Sequence, residues 1–217
     1  MWSPRYRFFH EFLQATTKDI SGFTIQPVFA EQKLFTPMKA ASSHFLAGIP
    51  IKIHVIKTYI ERNLGKTFFF TDVDLIVLPE FHREDLEAYT VNDITIMMEK
   101  GDIFNIGCML IKCSPKTLAF FERVAERIRT EKLLDQDAFH LEASLFDGTI
   151  GCFNPTQFLQ SNMLTEHSET YKIIQCLTSQ SDPTEILVEK VLTIMSAYDV
   201  SALLQYLPEE VQKVLGA

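Results

Sequence analysis

A CxxC pair is missing from this sequence of 217 residues. Its four cysteines, Cys108, Cys113, Cys152 and Cys176, stand apart among apolar neighbours such as Met109, Ile111, Phe153 and Leu177. That spacing argues against zinc ligation or a disulfide framework and predicts small buried thiols. No apolar run approaches the ~20 residues of a membrane span. The opening Met1-Trp2-Ser3-Pro4-Arg5-Tyr6-Arg7 has no apolar core of a signal peptide, so a cytoplasmic location is expected. Positive charge is also scarce: 20 Lys and Arg face 28 Asp and Glu, a formal net charge of −8. This excludes the electrostatic footprint of a general nucleic-acid binder. A small phosphate ligand would instead need local basic residues or a metal. There is no internal repeat and no low-complexity segment.

What is present is a globular balance of 47% hydrophobic and 22% charged residues, long enough to bury a sizeable core in one domain with an appendage. The longest apolar run is Phe68-Phe69-Phe70-Thr71-Asp72-Val73-Asp74-Leu75-Ile76-Val77-Leu78-Pro79, and it carries two carboxylates in its middle. Such a run reads as a buried central strand, on which Asp72 and Asp74 point the same way. Two unpaired like charges there cost several kcal/mol or force protonation, roughly as for any buried charge. A divalent cation with its ligand removes that cost. The plain alternative is a strand that ends in acids as it meets solvent, but the run continues apolar to Leu78.

Around this stretch the chain alternates. Arg7 to Ala15 reads as a helix with Phe8, Phe9, Phe12 and Leu13 on one side, and Phe23 to Phe29 as an edge strand. Pro50 opens a helix with Ile51, Val55, Ile56, Tyr59 and Ile60 as its stripe, and Gly65 caps it. Lys52 and Lys57 lie off that stripe, either solvated or reaching toward the acidic strand end. Asp93 to Met98 and Asp102 to Ile111 are strands, the latter interrupted by Asn105 and Gly107, which mark either a bulge or a close approach to a ligand. Ser114-Pro115 starts a helix to about Thr130, with Leu118, Phe121, Val124, Ala125 and Ile128 as its stripe. Asp135 caps another whose first turn carries Asp137, an arrangement that helix dipoles alone also favour. Ile150 to Phe153 is a short strand, and His167 stands in a polar stretch. From Asp182 onward only helices are expected, the first striped by Ile186, Leu187, Val191, Leu192 and Met195, the last between Pro208 and Gly216.

Three sites recur in order at spacings of about thirty residues: Asp72-Val73-Asp74, Asn105-Ile106-Gly107 and Asp135-Gln136-Asp137. This ordered trio resembles the GT-A fold of the nucleotide-diphospho-sugar transferases, over roughly Gly22 to Leu177. The chain's small size and opening Ser-Pro-Arg-Tyr also resemble the glycosyltransferase domains that large algal viruses use to decorate their capsids. The resemblance implies an α/β sandwich with a mostly parallel central sheet flanked by helices over residues 1–181, and a helical extension over 182–217. It further implies a glycosyltransferase that uses Mn²⁺ or Mg²⁺ and a nucleoside-diphosphate sugar, with a UDP-sugar favoured, and a glycan or glycoprotein acceptor.

Carried over by residue, Asp74 is the principal metal ligand, Asp72 meets the ribose or the metal's water shell, and His167 joins the metal. Asn105 and Gly107 face the sugar or acceptor, while Arg5 and Lys52 approach the donor. Asp137 is the first choice for a catalytic carboxylate and Asp135 the second. With Asp137 as base the anomeric carbon inverts; with Gln136 nearest that carbon, retention is favoured instead. One departure is that the family begins with a strand that holds the nucleobase, whereas this sequence begins with a helix. Either that strand lies upstream or Trp2 to Arg7 take its place. Two other classes compete: a haloacid-dehalogenase-like phosphatase, whose Asp-x-Asp also follows an apolar strand but near the start of its core, and a domain that binds a nucleotide sugar without transferring it.

Overall fold

The helix over Pro115–Glu131 shows how local sequence becomes structure in this chain. The Ser114 hydroxyl accepts the Thr117 N–H at 3.1 Å, and the Thr117 hydroxyl accepts the Ser114 N–H at 3.0 Å. Two otherwise orphaned donors are thereby satisfied, and Pro115 supplies a preset φ at the first position. Phe120, Phe121, Val124 and Ile128 then line its buried face. The computed structural model describes residues 6–18, 20, 26, 41–99, 103–163, 171–176, 182–196 and 198–216, with backbone alone over 41–49 and at 163 and 183. The strand expected over Phe23 to Phe29 lies outside the described residues.

In chain order the elements are α1 (Arg7–Thr17), α2 (Ala41–Arg62), β1 (Thr67–Thr71), β2 (Leu75–Val77), α3 (Glu84–Glu87), β3 (Ile94–Glu99), β4 (Ile103–Lys112), α4 (Pro115–Glu131), α5 (Asp135–Ala143), β5 (Ile150–Cys152), β6 (Phe158–Gln160), β7 (Ile173–Gln175), α6 (Pro183–Met195) and α7 (Glu209–Leu215). They fall into two units. One comprises Lys33–Thr71 and Glu84–Pro155; the other comprises Met1–Gln32, Asp72–Arg83 and Thr156–Ala217.

The first unit holds a sheet of order β1-β4-β3-β5, in which β4 runs antiparallel to both neighbours and β3 runs parallel to β5. Its core joins Ile53, Ile56 and Ile60 of α2 to Ile94, Met109 and Ile111 of the sheet and Phe120, Phe121 and Phe139 of the last two helices. Phe120 packs against Phe121, Phe139 and Phe146 with ring centroids 5.2, 5.0 and 4.8 Å away. The second unit holds a sheet of order β2-β7-β6, with β2 antiparallel and β6 parallel to β7. Phe8, Phe9 and Phe12 of α1 share its core with Ile76, Leu187, Val191, Ile194 and Val211. The helices of residues 182–217 therefore belong to the same core as α1 and β2. Among the described residues, no helix is long and apolar enough to cross a membrane.

Several expectations need correction. Among the described strands the pairing is mixed, not mostly parallel, because only residues 100–102 join β3 to β4. A parallel pair needs a crossover of a dozen residues or more, so so short a link returns the chain antiparallel. The Phe68 run is not one central strand. Among the described strands β1 lies at the edge of its sheet and only its Phe70 is buried, while Phe68 packs on Tyr59 at 4.4 Å and Phe69 meets Phe153 edge-on at 6.0 Å. The chain leaves strand geometry after Thr71, and Leu75–Val77 pairs in the other sheet.

Pro50 does not open α2 but lies inside it, although an internal proline forfeits a hydrogen bond and disfavours helix in the residue before it. Gly65, with φ of +84°, stands three residues beyond that helix and donates its N–H to the Cys113 carbonyl at 2.8 Å. A left-handed turn suits glycine there, in place of a direct cap. Cys108, Cys113 and Cys176 are buried as expected, whereas Cys152 is exposed on edge strand β5. Burial pushes the Cys113 thiol up to about 11, well into the inert range.

Candidate functional site

Asp72, Val73 and Asp74 form the irregular link between β1 and β2. Val73 is buried in the core of the second unit, one segment of which begins at Asp72. The two carboxylates are thus not successive outward positions of one strand face. The Asp74 carbonyl accepts the Cys176 N–H at 2.9 Å, which fixes the backbone of the link beside β7. Its side chain turns to helix α6: Asp74 Oδ2 accepts a hydrogen bond from Lys190 Nζ, with side-chain exposures of only 13% and 11%. The other oxygen, Asp74 Oδ1, is buried and has no hydrogen-bond partner among the described residues.

Burial works against the Lys190 ammonium. The charge of Asp74 and the hydrogen bond to it nevertheless hold Lys190 above its ordinary range. Burial, followed by the Asp74 charge, pushes the adjacent Cys176 thiol up to about 12, so it stays protonated. Sequence reading passed over Lys190, and the reason is the helical stripe. Leu187, Val191 and Ile194 are buried, while Leu192 and Met195 are exposed, so the stripe is rotated from the expected one. Lys190, three residues after Leu187 and four before Ile194, then lies on the inward side. That spacing was the available signal.

Asn105 and Gly107 lie in β4, where the register with β3 shifts: Ile96 faces Met109 but Met97 faces Asn105. Asn105 closes this bulge itself. Its Oδ1 accepts the Gly107 N–H at 2.7 Å, its Nδ2 donates to Glu99 Oε1 at 2.9 Å, and only 4% of the residue is exposed. The bulge reading of this pair is therefore realised. One further N–H and one further lone pair of the carboxamide remain for other contacts.

Asp135 is the first residue of α5 and not its cap, since Leu134 precedes the helix and makes no side-chain cap bond. The Asp135 carboxylate is buried, accepts the Gln136 N–H at 3.1 Å, and meets Lys52 Nζ at 3.3 Å. Lys52 thus reaches from α2 to Asp135. Gln136 is half-buried and Asp137 is exposed. At 100° per residue the two acids lie on opposite sides of the helix. Asp137 has no hydrogen-bond or ionic partner among the described residues.

At the helix's other end Glu142, 3% exposed, accepts from Arg123 Nε at 2.8 Å and from Arg127 Nε, clamping α5 to α4. Burial alone would raise the Glu142 carboxyl, but the two guanidinium groups hold it below its usual range. Arg5 and His167 lie outside the described residues. In the second unit Gln160 and Gln175, buried and paired across β6 and β7, carry amide atoms without partners among the described residues. No sequence pattern marked them.

Lys52→Met leaves Asp135 buried without its counter-charge. A loss toward the lower end of about 3–5 kcal/mol is expected, because Asp135 keeps the Gln136 N–H. Urea unfolding checks this, and a midpoint equal to that of the wild type would mean the pair contributes nothing.

A family model described as nucleotide-diphospho-sugar transferase matches residues 36–175. No curated protein sequence matches the chain. Among solved structures, a glycosyltransferase involved in glycosylation of the major capsid of PBCV-1 is similar with a TM-score of 0.57 at 12% identity, over 88% of this chain and 93% of that one. The galactosyltransferase LgtC, solved with donor and acceptor sugar analogues, is similar with a TM-score of 0.54 at 13% identity, over 98% and 97% of the two chains. Both likenesses show the GT-A fold.

Proposed function

Because the chain belongs to the nucleotide-diphospho-sugar transferase family, we propose that it moves a sugar from a nucleoside-diphosphate sugar, with a UDP-sugar favoured, to a hydroxyl of a glycan or glycoprotein. Transfer as such follows from the family. The donor base, the acceptor and the metal are the proposal. One observation carries the metal: a carboxylate oxygen of the Asp-x-Asp stretch, Asp74 Oδ1, is buried with no donor to satisfy it among the described residues. An acceptor-only atom in that state calls for an N–H or a cation. A hard carboxylate oxygen suits Mn²⁺ or Mg²⁺, and such ions commonly take one or two carboxylates and complete their shell with substrate phosphates. The residues present fit that pattern, with Asp74 as the ligand, Asp72 toward the water shell or ribose, and His167 as a proposed third contributor.

The remaining roles follow from side-chain chemistry. Breaking the sugar–phosphate bond builds negative charge on the diphosphate, which a bound divalent cation would offset. An acceptor hydroxyl is a poor nucleophile until its proton is taken. Asp137, exposed and without a partner among the described residues, suits that task better than Asp135, whose carboxylate is occupied by Lys52 and its own helix. Gln136 stands between them as the proposed polar contact to the sugar. Asn105 and Gly107 shape the β4 bulge on the sugar or acceptor side, and Lys52 serves the donor side by holding the start of α5. Arg5 is kept as a proposed diphosphate contact. The likeness to a transferase that glycosylates a capsid protein supports a glycan or glycoprotein acceptor. The phosphatase alternative drops out with the family. A domain that binds a nucleotide sugar without transferring it is the outcome to be tested against transfer.

The test is thermal unfolding with UDP, GDP or free phosphate, each with Mn²⁺ or with EDTA. A ligand at a hundred times its Kd stabilises the native state by about 2.7 kcal/mol, or roughly 5–10 °C for a chain of this size. The expected result is a shift with UDP that requires Mn²⁺. No shift with either nucleoside diphosphate would overturn the proposal.

A further inference from the structure

Two buried ion pairs of this chain differ in one respect. Both oxygens of Glu142 are taken by arginines, a closed structural bridge. Among the described residues, Asp74 is held by Lys190 through one oxygen while the other has no partner, and the Lys190 ammonium makes its one hydrogen bond to Asp74. This second pair is half-satisfied on both sides. We propose that Lys190 is a resident cation for the donor site: it neutralises Asp74 while the donor is absent and passes to the diphosphate when a divalent cation takes Asp74. The inference rests on the proposed function in placing the donor's metal at Asp74.

The charges decide why the handover needs both ligands. Lys190 is 11% exposed in its side chain, and Asp74 is the one carboxylate it meets among the described residues. A divalent cation arriving alone therefore either shares one carboxylate with an ammonium or strands that ammonium in a buried setting, and both are unfavourable. A nucleoside-diphosphate sugar brings two negative charges. Asp74, Lys190, the cation and the diphosphate then sum to zero. Metal and diphosphate should consequently bind with positive coupling, and by linkage each should strengthen the other by the same factor.

The experiment measures Mn²⁺ binding by calorimetry and by loss of the free-ion electron paramagnetic resonance signal, with and without UDP. It compares the wild type with Lys190→Met and Lys190→Gln. The Gln variant keeps a hydrogen-bond donor to Asp74 without the charge, so the comparison survives if the Met variant folds poorly. In the wild type, UDP is expected to tighten Mn²⁺ binding at least tenfold. In both variants Mn²⁺ alone should bind at least tenfold more tightly than to the wild type, and the UDP effect should shrink. Mn²⁺-dependent UDP binding in the wild type, with unchanged Mn²⁺ affinity in the folded variants, overturns the role of Lys190 and leaves the proposed function standing. Absence of UDP binding with Mn²⁺ in the wild type overturns the proposed function and this inference with it.

Discussion

Asp74→Asn is expected to abolish measurable transfer, by at least about a hundredfold, and also to lower the melting temperature. The first effect follows from losing the carboxylate proposed to hold the metal. The second follows from Lys190, whose ammonium is left buried beside a neutral amide. Removing one partner of a buried pair costs about 3–5 kcal/mol, which for a chain of this length is roughly 6–20 °C in Tm. Sequence alone predicts a variant that loses activity and keeps its stability; the contact with α6 changes that. The double variant Asp74→Asn/Lys190→Met separates the two effects, because an uncharged pair of similar volume restores most of the stability while transfer stays lost. Substantial turnover by the folded double variant with Mn²⁺ present would remove Asp74 from the mechanism.

Asp137→Asn should show the reverse profile. The residue is exposed and has no partner among the described residues, so Tm should stay within about a degree of the wild type, as for most exposed sites. If its carboxylate takes the acceptor proton, kcat falls by about 10²–10⁴ while the donor KM changes little. Asp135→Asn is the informative contrast. That change removes the charge opposite Lys52 and should register first in stability. Equal loss of activity in the two variants, with Tm lowered only at position 135, would mean that the orientation of the helix matters and that Asp137 has no separate proton-transfer role. An unchanged kcat in Asp137→Asn would leave the base to be sought elsewhere.

Much of the architecture was legible before any coordinates. Ser114-Pro115 and Asp182-Pro183 announced helix starts, and both cap bonds are made, Asp182 accepting the Thr184 and Glu185 N–H groups at 2.8 and 3.1 Å. Gly216, with φ of 72°, ends α7 in the left-handed conformation that glycine favours, as its place after the Pro208 helix suggests. These signals are local: the backbone groups they satisfy lie within four residues of the side chain. The ordered trio of acidic and Asn-x-Gly stretches was equally visible, because chemistry that needs carboxylates and close backbone approach restricts residue types at each position.

What only the tertiary structure decided is where those stretches point and what they touch. The break between β1 and β2 falls at the two acids of the run, but nothing in the sequence marks that the apolar residues on either side join different sheets. The direction of β4 depends on its pairing with β1 and β3, not on its own composition. Lys52–Asp135 and Lys190–Asp74 join residues far apart in the chain. A buried charge finds its counter-charge through space, and nothing local in the sequence encodes that distance. The sequence by itself determined the kinds of element and the inventory of reactive groups. Packing decided which carboxylate is held by a lysine, which is left exposed, and which keeps one buried oxygen unsatisfied, because those states depend on desolvation and on neighbours that only a folded chain supplies.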